Sequence, residues 1–138
     1  MPRSAKEIDI DPNTYIGLSF PLRSDNNNNF KMTKNSFQQA QHNLRNLLLT
    51  HPGERVGQPE FGCRLRELCF EQRDDELPSR IEDIVKSAVS TWLPYINIVD
   101  VATLSDDKNS IFVKLKYSTA LNPETFEQIT VDTSYTAT

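Results

Sequence analysis

The sequence predicts an α+β fold, three helices followed by a small antiparallel β-hairpin or three-stranded sheet, and three observations carry that expectation. Apolar residues recur at helical spacing before Pro94, they alternate singly with other residues after it, and Pro and Gly cluster where the helical segments join. With 138 residues and 37% hydrophobic content, the chain has material for one modest core and no room for a second domain.

Residues 1–32 are expected to form an extended N-terminal arm and residues 33–138 the folded body. Across Ile8 to Lys31, Pro12, Gly17 and Pro21 block regular helix, and Asn26 to Asn29 form a polar run with turn chemistry. Ile16, Leu18, Phe20 and Leu22 alternate with other residues, so extended chain there shows one apolar edge. The first helix is expected from Thr33 or Ser36, where Ser36 and Gln39 have capping-box spacing, to a stop before Pro52-Gly53. Its core stripe is Phe37, Ala40, Leu44, Leu47 and Leu48, with Gln38, Gln41, Asn43 and Arg45 opposite.

Pro52, Gly53, Gly57, Pro59 and Gly62 then fix an irregular, ordered connection. Phe61 lies in it where no periodic pattern asks for an aromatic ring, and its expected role is to lock the loop onto the helices. Cys63 to Phe70 suit about two helical turns with Leu65, Leu68 and Cys69 inward. After a solvated linker at Arg73 to Glu76, the third helix is expected from Ser79, in a capping-box pattern with Glu82, to Leu93. Its stripe is Ile81, Ile84, Val85, Ala88 and Trp92, and Glu82 with Lys86 forms an i,i+4 pair outside. Strands follow at Ile96 to Leu104 and at Ile111 to Thr119, joined by the polar link Ser105 to Asn109, with a last extended piece from Glu127 to Tyr135.

The net charge of -4 and pI near 5.1 supply no pull toward nucleic acid or a membrane surface, and no stretch approaches the apolar length of a membrane span. Cys63 and Cys69 make no disulfide framework, and neither His42 nor His51 lies near them to complete a metal site, so both cysteines are expected to be buried apolar side chains. Glu60, Glu67 and Glu71 are the carboxylates in the region where a glycosidase pair would be sought, but Glu67 and Glu71 at i,i+4 are the wet side of a short helix. There is no phosphate loop and no nucleophile beside a histidine, so no catalytic residue, cofactor or metal is assigned.

The ordered set Pro52-Gly53-Glu54-Arg55, Gln58-Pro59-Glu60-Phe61-Gly62-Cys63, Leu65, Leu68, Phe70 and Glu71, continuing through Tyr117 to Asn122-Pro123, resembles the small wedge proteins of contractile-tail baseplates. These are often labelled lysozyme-like and have a relative in the type VI secretion baseplate. The resemblance covers about Ser36 to Val131 and implies a structural protein of the inner virion baseplate, assembled in the host bacterial cytoplasm. Implied partners are the other baseplate wedge subunits, the tail sheath protein, and central hub or tube-initiator proteins. It implies that the chain starts sheath assembly by strand exchange, through Ile96 to Leu104 and through Ile111 to Thr119 with Ile111, Val113, Leu115 and Tyr117. Arg55 and Glu60 are presented for contacts with wedge proteins by the Gly/Pro-rich joint. Where the third helix ends the family carries Glu-Pro-Arg, and this chain has Leu93-Pro94-Tyr95, which keeps the helix stop and makes any contact there apolar or aromatic. The alternatives are a peptidoglycan-cleaving lysozyme and the type VI secretion component itself.

Overall fold

A computed structural model of the chain describes residues 4–11, 13–19, 22–68, 70–72, 74–105 and 111–133. The elements run α1 (Ala5–Ile10), β1 (Gly17–Leu18), β2 (Met32–Thr33), α2 (Ser36–Leu49), α3 (Leu65–Leu68), α4 (Leu77–Trp92), β3 (Ile96–Ser105), β4 (Ile111–Thr119) and β5 (Asn122–Asp132). The mixed α+β character of the sequence expectation holds. The expected three helices become four among the described residues, and a small two-stranded sheet precedes the main one.

The additional helix, α1, lies in the segment read as extended. Ser4 and Glu7 close a reciprocal capping box at its start, a local signal that outweighs its short length. Asp9 then accepts a hydrogen bond from the backbone N–H of Ser36, which ties α1 to the first turn of α2. Between them β1 pairs antiparallel with β2, Gly17 opposite Thr33 and Leu18 opposite Met32. The asparagine run forms the turn of this hairpin: Asp25 accepts from the backbone N–H groups of Asn27 and Asn29 at 2.8 and 2.9 Å, and Asn28 takes a left-handed φ of 64°.

The helix starts differ from the capping patterns read in the sequence. The α2 cap is Asn35, whose side chain accepts from the Gln38 N–H at 2.8 Å, so Ser36 is the first helical residue. Helix α4 begins at Leu77, two residues before Ser79, because Pro78 fits the first turn with its fixed φ and missing N–H. Helix α3 is a single turn, shorter than the stretch expected from Cys63 to Phe70, and Phe70 is exposed beyond it. The α4 stripe is centred on Leu77, Ile81, Val85 and Val89, with Ile84, Ala88 and Trp92 at its margin.

The main sheet is a meander in the order β3-β4-β5, with both pairings antiparallel. Ile111, Val113, Leu115 and Tyr117 point from the central strand into the core, where they meet Leu44, Leu47, Ile81, Val85 and, from β5, Ile129 and Val131. One face of the sheet is thus covered by α2 and α4, and Lys114 on the other face meets solvent. The expectations for Phe20, Cys69, Arg73, the link Asp106 to Asn109 and the last residues to Tyr135 fall outside the described residues.

Candidate functional site

The segment from Thr50 to Arg66 is built as a self-bonded joint. The backbone N–H of Gly53 donates to the carbonyl of Pro59 at 2.7 Å, that of Phe61 to Gln58 at 3.1 Å, and that of Cys63 to Thr50 at 2.8 Å. Arg66 adds a bond from its guanidinium to the Leu49 carbonyl at 3.2 Å, satisfying an acceptor at the end of α2, and pairs with Glu54 at 3.2 Å. Loops of this composition stay ordered only when their backbone groups find such partners.

Phe61 is buried and meets Trp92 edge to face, with ring centroids 5.2 Å apart and planes at 69°. The Arg55 guanidinium lies over the outer face of Phe61, 4.2 Å from its centroid, so a cation is held at the surface by a ring anchored in the core. Glu60, next in the chain to Phe61, is exposed. An open groove of about 380 Å³ adjoins, with Pro52, Glu60 and Arg64 on one wall and Asp83, Ala88 and Trp92 on the other.

Trp92 leads directly into Leu93, Pro94 and Tyr95, so the joint and the corner before β3 are neighbours in space. Leu93 is buried, and Pro94 and Tyr95 are exposed, the Tyr95 hydroxyl accepting from Asn43 Nδ2 at 2.7 Å. The Tyr95 carbonyl also accepts from the Ala120 N–H at 2.9 Å, which fixes the corner to the end of β4. Sequence reasoning gave Asn43 to solvent. Its bond to Tyr95 spans 52 positions, and no local pattern signals it.

Ile111, Val113, Leu115 and Tyr117 are not gathered with that surface. They lie on the strand whose ladder groups already face β3 on one side and β5 on the other, with their side chains in the core. Among the described residues of this sheet, open backbone groups lie at its two margins. The β3 margin is interrupted by a register shift between Ile98 and Asp100. The β5 margin is regular from Glu127 to Asp132. Thr133 donates its N–H inward to the Ile111 carbonyl at 3.1 Å, so by the alternation of an antiparallel ladder Gln128 and Thr130 direct their N–H and C=O outward.

Of the three carboxylates considered for catalysis, Glu67 and Glu71 are engaged in surface ion pairs and Glu60 is exposed beside the groove. Glu67 pairs with His51 at 3.0 Å and with Arg64 at 3.4 Å, and Glu71 pairs with Arg80. Among the described residues no group of three or more His, Cys, Asp and Glu side chains could hold a metal ion. No helix among them is long and apolar enough to cross a membrane.

Burial pushes the Cys63 thiol up to about 11, opposed in part by a backbone hydrogen bond at Leu65. Burial also pushes the Tyr117 phenol up to about 12, helped by the charge of Glu127. Both groups keep their protons in the folded state at pH values where the unfolded chain loses them. The unfolded state therefore binds fewer protons, and stability falls as pH rises above about 9, the ordinary value for Cys63. Chemical denaturation at pH 8, 9 and 10 should show a declining unfolding free energy. In Cys63→Ala the drop between pH 9 and 10 should shrink.

A family model described as "Baseplate wedge protein gp25" matches residues 37–124. The Baseplate wedge protein gp25 of Enterobacteria phage T4 is 31% identical over 125 residues, which are 89% of this chain and 83% of that protein. Among solved structures, a putative tail lysozyme from Geobacter sulfurreducens superposes with a TM-score of 0.66 at 22% identity, covering 74% of this chain and 93% of that one. A chain of the anti-feeding prophage baseplate superposes with a TM-score of 0.59 at 19% identity, covering 87% of this chain and 86% of that one. A chain of the type VI secretion baseplate complex gives 0.57 at 15% identity, over 70% of this chain and 90% of its own.

Proposed function

Because this chain belongs to the gp25 family of baseplate wedge proteins, we propose that it is a structural component of the inner baseplate of a contractile tail and initiates sheath polymerisation by strand pairing. The observation that carries the pairing is the regular outer margin of β5, from Glu127 to Thr130, with no helix or bulge across its ladder groups among the described residues. An extended segment of a first sheath subunit can add there as a fourth strand, its main chain supplying affinity and its alternate side chains register. Ile111, Val113, Leu115 and Tyr117 act as the spine that holds the accepting strand flat against the core.

The Arg55–Glu60 loop and the corner Leu93-Pro94-Tyr95 form the contact with wedge subunits. The Arg55, Phe61 and Trp92 stack gives that contact a rigid base. Hub or tube-initiator proteins are further neighbours in the same assembly, which forms in the host cytoplasm before the sheath is added. Residues 33–138 carry these roles, and the segment ahead of them is joined to that body by the β1–β2 pair and by the Asp9 bond to the start of α2.

Epitope-tagged chain expressed during particle production should sediment with assembled baseplates and remain with them through purification. Recovery only as free protein would refute the baseplate role. The lysozyme reading makes the opposite demand, since it needs a free acid and a second carboxylate across a cleft. Purified chain incubated with cell walls should release no soluble fragments, and Glu60→Gln should leave that result unchanged.

A further inference from the structure

The hairpin formed by residues 15–34 stands ahead of the residues that the family model matches, which begin at residue 37. It contributes little to the core. Of its described residues only Ser19 and Thr33 are buried, and the strands that pair in it are two residues each. What it exposes is apolar. Tyr15, Ile16, Leu18 and Met32 are all part-exposed to exposed, Leu22 is 60% exposed and Phe30 is 64% exposed. Leu18, Leu22, Phe30 and Met32 line one shallow depression of about 470 Å³, and Tyr15, Phe30 and Met32 line a second of about 410 Å³. Scattered apolar residues at a surface need no explanation, but a contiguous set on so short a hairpin marks a contact face.

The charge around these depressions is mainly positive, with Asp25 the one acid that lines them. Arg23 borders the first, and Lys31 and Lys34 border the second. The nearby acid, Asp25, spends its carboxylate on the backbone of the turn. Among the described residues neither Arg23 nor Lys31 meets a carboxylate, and Lys34 lies over the Tyr15 ring at 5.5 Å. Three cations against one acid leave this rim net positive on a chain whose net charge is -4.

We propose that the hairpin is a docking surface for a neighbouring protein chain of the particle, whose complementary segment is apolar and flanked by Asp or Glu side chains. The inference rests on the baseplate reading for its setting and goes beyond it in naming a second contact, separate from the joint and from the sheet margin. A protein fits better than a nucleic acid or a lipid surface. The cations are few, the tip is asparagine and not lysine, and two shaped apolar depressions call for side chains to fill them.

The test places a photoreactive benzoylphenylalanine at Phe30 in the full-length chain and irradiates assembled particles. One discrete protein adduct is expected, with Asp or Glu in the linked peptide. The double reversal Arg23→Glu with Lys31→Glu, shown folded by circular dichroism, should lower the adduct yield about tenfold, while Arg23→Lys with Lys31→Arg should restore it. Particles that contain the chain but give no adduct, an adduct yield indifferent to charge reversal, or linkage to nucleic acid or lipid would each overturn the docking surface alone. Absence of the unmodified chain from particles would overturn the baseplate reading and this one with it.

Discussion

Gly62→Ala is expected to cost about 3 kcal/mol or more of folding stability, a large share of the roughly 5 to 15 kcal/mol available to a domain. Two terms add. Gly62 has a φ of +138°, where an L side chain is strained, and a Cβ there would lie 2.5 Å from the Thr50 carbonyl oxygen and 2.9 Å from backbone atoms of His51 and Pro52. These are main-chain atoms at the end of α2, so no rotamer change relieves the contact. The Thr50 carbonyl also accepts the Cys63 N–H, and a shift that makes room for the methyl group breaks that bond and tilts Phe61 away from Trp92.

The other glycines of the loop supply the scale. Gly53 has a φ of +97° and open space around it, so Gly53→Ala should cost only the backbone strain, about 1 to 2 kcal/mol. Gly57 has open space, and Gly57→Ala should be near neutral or slightly stabilising. Urea denaturation of the three variants should rank them Gly62, Gly53, Gly57 in decreasing loss. Equal losses would mean that the joint is not fixed by the close approach at Gly62.

Thr130→Pro is expected to abolish sheath polymerisation on assembled baseplates while leaving the domain folded. Thr130 is exposed on the margin of β5, and the alternation set by the Thr133 to Ile111 bond turns its N–H away from β4. Proline there removes a donor that only an added strand would use, and proline is tolerated on edge strands in that orientation. Proline at Val113 is a different experiment. That residue is on the central strand, fully buried and paired with Val131, so its replacement unfolds the sheet and says nothing about pairing. Negative-stain images should show bare tubes or baseplates without sheath for Thr130→Pro, with a melting temperature within a few degrees of the parent. Full-length sheath on Thr130→Pro particles would remove strand addition at this margin.

Much of the body was legible because burial follows periodicity. The Leu44, Leu47 and Leu48 stripe, the change of period at Pro94 and the inward set Ile111, Val113, Leu115 and Tyr117 are each local patterns, and the core is built from them. Phe61 was legible for the opposite reason, as an aromatic residue where no pattern required one. What escaped depends on contacts between distant residues. Asp9 capping the start of α2 spans 27 positions, and the pairing of β1 with β2 turns a segment read as extended into a hairpin. The central place of β4 is a property of the sheet and not of the strand. Alternation marks which face is buried, but it does not say which strand has a free edge.

A cryo-electron map of the assembled tail base, resolved well enough to trace main chain, tests strand pairing most directly. An extended segment of a sheath subunit should lie antiparallel or parallel to β5, hydrogen-bonded to Gln128 and Thr130, with the Arg55 and Tyr95 surface against a wedge subunit. A sheath-proximal β5 margin that faces solvent in every copy would contradict it.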